Sequence, residues 1–85
     1  MNSSEKPCDD STETIISILE EAIKSEIESE EKYLHGAETA CDSKVRDFFI
    51  SLAHMEHDHK ELLTKELSEL RAQMKIVEEI NEMFY

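Results

Sequence analysis

The chain has 85 residues, a formal charge of -12, one Gly and one Pro. That length allows one small domain, near the size at which a lone chain struggles to bury enough apolar surface, and the abundance of Glu, Lys, Leu, Ile and Ala makes it all-α. With 9 Lys and Arg against 21 Asp and Glu, the charge argues against nucleic acid and anionic membranes as partners and suits the attraction of cations.

Residues 1–10 are polar, contain Pro7 and read as a disordered lead-in to a helical domain over 11–85. Asp10 followed by Glu13 resembles a capping box, so the first helix is expected to start near Ser11 or Thr12. Its inward positions are Ile16, Leu19, Ile23, Glu26, Glu30, Tyr33, Ala37 and Ala40, with Ile27 and Leu34 widening the stripe. Spacings of three and four mark one packed helix face. Gly36 costs about 1 kcal/mol inside a helix; close helix approach there and simple tolerance are both open.

Cys41-Asp42-Ser43 breaks the pattern, with Asp42 or Ser43 able to cap a second helix. That helix carries Val45, Phe49, Leu52, Glu56, His59, Leu63, Leu67, Leu70 and Met74 on the same spacing. Ile76, Val77, Ile80, Met83 and Phe84 then give a short C-terminal helical segment, as an extension of the second helix or as a third after a break near Met74. The architecture expected is an antiparallel two-helix hairpin plus this segment.

Cys8 and Cys41 would flank a helix roughly 42 Å long, so a bridge within the chain is not expected and reduced thiols are. No apolar run approaches the roughly 20 residues that span a bilayer, and the polar start lacks a signal-peptide core, so the expected location is cytoplasmic.

Glu26, Glu56 and His59 stand in stripes that otherwise face a core. Burying an unpaired charge costs several kcal/mol, so such groups are paired, hydrogen-bonded or metal-bound. With the turn centred near residue 41, Glu26 lies fifteen residues before it and Glu56 fifteen after. Both then sit about 22 Å from the turn, and His59 comes one turn after Glu56 on the same face. Tyr33 and Phe49 form a layer seven residues nearer the turn.

One Glu from one helix and Glu-x-x-His from another is half the ligand set of a di-iron carboxylate four-helix bundle. Carboxylates and imidazole suit iron, manganese and zinc. Two hairpins related by a two-fold axis would supply four Glu and two His, and would bury the stripes that one hairpin leaves open. A homo-oligomer with the site across a subunit interface is therefore expected.

The run Ala22-Ile23, Glu26, Tyr33, Ala37, then Val45, Phe49, Leu52-Ala53, Glu56, His59, Leu63 resembles the helical domain of rubrerythrins and the wider ferritin-like superfamily. The resemblance covers roughly residues 15–70. It implies that Glu26, Glu56 and His59 are iron ligands of a di-iron centre (Fe2+/Fe3+), that Tyr33 lies near the irons, and that Fe(II) is oxidised by dioxygen or peroxide. Full-length members carry two such hairpins, whereas this chain has one. In that it is similar to the encapsulated ferritins, whose two-helix subunits complete a ferroxidase centre between protomers and assemble into a ring. Bulk storage by such a subunit would need an encapsulating shell as a further partner. No Cys-rich rubredoxin-like segment is present among the 85 residues, which argues against a peroxidase with its own electron relay.

Glu30, one turn from Glu26, reads as an additional ligand or an entry-path carboxylate. His54 and His57 fall off the stripe and read as surface histidines. The residues leave two other function classes open. One is a non-catalytic helical interaction module whose charged layer sets register; the other is a metal carrier or sensor without redox turnover.

Overall fold

The structure, a computed structural model, describes residues 12–84, the side chains of 77, 78, 81 and 84 excepted. The lead-in over 1–10, with Pro7, Cys8 and the Asp10 end of the expected capping box, lies outside the described residues. Within them the chain is all-helical: α1 spans Thr12–Thr39 and α2 spans Ser43–Phe84. The segment beyond Met74 continues α2 without a break, in keeping with the absence of Gly or Pro there. No helix among the described residues is long and apolar enough to cross a membrane.

Local chemistry explains where the helices end. Ala40 donates its N–H to the Gly36 carbonyl at 3.0 Å, and the Thr39 hydroxyl donates to the His35 carbonyl at 2.8 Å. The Ala40 carbonyl accepts from Arg46 Nη2 at 3.3 Å, which satisfies one of the acceptors a helix end leaves open. Asp42 caps α2: its Oδ1 accepts from the N–H groups of Lys44 at 2.7 Å and Val45 at 3.3 Å, the role of an Ncap carboxylate at a positive helix end. Of the two expected caps, Asp42 is thus the one used. The tight connection needs no residue with positive φ. Cys41 sits exposed in it as a free thiol.

α1 and α2 pack antiparallel, as residue pairs such as Tyr33–Phe49 near the turn and Glu20–Arg71 far from it require. The expected Tyr33–Phe49 layer forms, with stacked rings 6.4 Å between centroids. Gly36 belongs to it. A Cβ there would lie 3.0 Å from Phe49 ring atoms, so the glycine admits the ring and the close approach is its purpose.

A single hairpin is one layer of helix on helix. It is 64 Å long and 14 Å thin, with a radius of gyration of 19.2 Å, where a compact domain of this length would have about 12 Å. The buried core is correspondingly meagre: Ala37, Ala53 and Leu67. Phe48, Met55 and Leu62, spaced at sevens along α2, are 61%, 53% and 62% exposed. α2 is also the longer helix, with 42 residues against 28. Its end overhangs α1 and leaves Ile76, Ile80 and Met83 open.

Candidate metal centre

Glu26 projects from the middle of α1, and Glu56 and His59 project from one face of α2. Their ligand atoms, one carboxylate oxygen from each Glu and one ring nitrogen, lie within 4.8 Å of one another. Donors on opposite sides of a first-row divalent ion stand about 4.2 Å apart, given bond lengths of about 2.1 Å. Three donors spread evenly about one ion stand at most about 3.6 Å apart, so the side chains need close by about an ångström to share one ion. Among the described residues this is the group of His, Cys, Asp and Glu side chains drawn together in that way.

The electrostatics of Glu26 make the same point. Its Oε2 is buried and has no hydrogen-bond partner. His59 Nδ1 approaches it to 3.7 Å, too far for a hydrogen bond. A buried acceptor left unsatisfied costs about 1–3 kcal/mol, and more when charged. Within the chain that atom has no hydrogen bond and only the His59 ring, a cation when protonated, beside it. The donor set of two carboxylates and an imidazole fits iron, manganese or zinc. The His59 side chain is 53% exposed, so the open side of the cluster is the side that carries Met55 and Leu62.

Glu30 is not brought to this cluster. It turns to the other flank, where Oε1 lies 3.4 Å from Lys60 Nζ and Oε2 lies 3.5 Å from His57 Nδ1. His57 Nε2 in turn faces Glu61 Oε1 at 3.6 Å. His54 and His57 are exposed as expected, and both line a groove of about 220 Å³ with Glu30, Leu34, Ile50 and Ala53. Tyr33 lies two turns from Glu26, about 10.5 Å along α1, with its ring on Phe49; it walls the layer beside the cluster.

The Glu30–Lys60 pair joins residues at unequal heights. Glu30 lies eleven residues before residue 41 and Lys60 nineteen after. Side chains lean toward the N-terminus of their own helix. In this hairpin Glu30 leans away from the turn and Lys60 toward it, so they meet. The same lean joins Glu26 to His59 and Glu20 to Arg71, the last at 2.8 Å between half-exposed side chains.

The family model for Rubrerythrin matches residues 17–85, which takes in the Glu26, Glu56 and His59 cluster, the Tyr33–Phe49 layer and the whole of α2. No curated protein and no solved structure matches the chain. With four-fifths of its length matched, the chain belongs to the rubrerythrin family, a membership that points to a ferritin-like, iron-binding role.

Proposed function

We propose that two copies of this chain join into a four-helix bundle, hold a pair of irons between them and oxidise Fe(II) with dioxygen or peroxide. The observation that carries this reading is the convergence of Glu26, Glu56 and His59 around a buried carboxylate oxygen that makes no hydrogen bond. A layer that merely set register would satisfy its polar atoms by hydrogen bonds. The lack of a hydrogen bond at Glu26 Oε2 supports a ligand role instead.

Each chain offers two carboxylates and one imidazole. A pair offers four carboxylates, whose charge balances two Fe(II), with an imidazole for each ion. Glu26 and Glu56 would hold the irons through carboxylate oxygens and His59 through a ring nitrogen, and the bound pair would supply redox chemistry. With Fe(II) as the substrate, two ions would together yield two electrons, which with two protons would reduce dioxygen to hydrogen peroxide, or peroxide to two waters. Tyr33, stacked on Phe49, would shield the centre on its turn side and exchange an electron with it.

The same assembly accounts for the open surface. A single layer whose described residues bury only Ala37, Ala53 and Leu67 needs a second layer, and Phe48, Met55 and Leu62 flank His59 on the side where a partner would stand. Rings of such pairs, an encapsulating shell for storage and a cytoplasmic location with available Fe(II) complete the proposal.

Substitution of Glu56 by Ala removes a ligand from each half. Loss of groups that only support ligands costs about 10–100-fold, so aerobic Fe(II) oxidation, followed by absorbance, will fall by at least about tenfold. Oxidation at the unaltered rate would sink the proposal.

A further inference from the structure

We infer that Lys60 is a specificity-determining residue of the metal centre: by pairing with Glu30 it keeps that carboxylate out of the ligand set and holds each chain to three ligands. The inference rests on the proposed metal centre and deepens it.

Glu30 stands one helical turn from Glu26 on α1, and Lys60 comes directly after His59, one turn from Glu56 on α2. Helix neighbours four apart have Cβ atoms about 5–6 Å from each other, which puts the Glu30 carboxylate within side-chain reach of the centre. By position it is the natural fourth ligand. Both of its oxygens are turned elsewhere, to Lys60 Nζ at 3.4 Å and His57 Nδ1 at 3.5 Å. The pair is not a loose surface contact, since the Glu30 and Lys60 side chains are 22% and 24% exposed.

A partly buried carboxylate deprived of its cation has to find another. Apart from His57, which is a cation only when protonated, the next cation within reach is a metal ion held by Glu26, Glu56 and His59, one turn away. Lys60 thus decides the charge and the ligand count of the centre without touching the metal. It is a positioning residue, and the ligand it governs is a first-row divalent cation.

The test titrates Co(II), whose visible absorption reports coordination, into the full-length chain and its variants. The wild type is expected to take up about one Co(II) per chain, and Glu30→Gln is expected to leave its affinity and spectrum unaltered. Lys60→Met, or Lys60→Gln should the first variant fold poorly, will bind Co(II) about tenfold more tightly, with a changed visible spectrum. The double variant Lys60→Met/Glu30→Gln will return both readings to those of the wild type, and Lys60→Arg will preserve them. A purely structural ion pair would move thermal stability in these variants and leave the spectrum alone. Identical Co(II) affinity and spectrum in Lys60→Met and wild type would overturn the inference, as would a change that persists in the double variant. Loss of Co(II) binding in Glu30→Gln would also overturn it, by making Glu30 a ligand. A wild type that takes up no Co(II) would overturn the metal centre itself, and the inference with it.

Discussion

Met55→Glu together with Leu62→Glu will leave the chain monomeric and strip it of stoichiometric iron, although neither residue is a ligand. Both side chains are more than half exposed, and with Phe48 they form a strip at seven-residue spacing that runs beside His59. Full burial of a Met or Leu side chain contributes about 1.5–3 kcal/mol. Four such side chains in a symmetric pair therefore supply roughly 6–12 kcal/mol, an upper bound because part of that surface is already covered. A glutamate in their place forfeits this contribution and adds the cost of burying a carboxylate without a partner. Each half-site would then hold three ligands and an open side. Light scattering and metal analysis of the same sample check the outcome; a variant that keeps its dimer mass and its iron would contradict the interfacial reading. Helicity should fall as well, because the lone hairpin buries only Ala37, Ala53 and Leu67 among its described apolar residues.

Glu26→Met will do two opposite things to stability. Without metal it will stabilise the protein, because Glu26 Oε2 is buried and makes no hydrogen bond while Met packs in the same space with a similar helix propensity. Unsatisfied buried acceptors cost about 1–3 kcal/mol, and the low end applies because the Glu26 side chain is 22% exposed. A gain of about 1 kcal/mol corresponds to roughly 4–8 °C in a domain of this size. With metal present the order reverses. A ligand at a hundredfold excess over its dissociation constant stabilises the wild type by about 2.7 kcal/mol, and the variant gains none of that. Thermal melts with chelator and with Mn(II), which avoids oxidation, read both effects. A metal-free variant less stable than the wild type, or one that Mn(II) stabilises as much, would show that Glu26 is not a waiting ligand.

Much of this molecule is legible in its sequence because its signals are local and agree. Three-four spacing gives the helices, and Asp42 at the break gives the cap. A mirror about residue 41 brings Glu26 level with Glu56, and with His59 these form the cluster seen. Gly36 is ambiguous in sequence because its purpose is tertiary: only the Phe49 ring lying over it distinguishes close approach from tolerance. The fate of the segment beyond Met74 is equally open in sequence, since nothing in the residues themselves either breaks or requires continuation.

The Glu30–Lys60–His57 network is hidden in the sequence for a different reason. Residue counting from the turn compares the heights of Cα positions, whereas long side chains lean toward their helix N-termini and pair across unequal heights. Phe48, Met55 and Leu62 are obscured because one stripe per helix already accounts for a hairpin. A helix that faces two neighbours in a bundle carries a wider apolar arc than a hairpin needs, and in the proposed dimer these residues would supply the extra width.

Native mass spectrometry of iron-loaded wild-type protein tests the central claim most directly. If the centre is completed by assembly, the dimer will carry about two irons and monomers released from it will carry none. Monomers that each retain an iron would place a complete site within one chain and contradict the account.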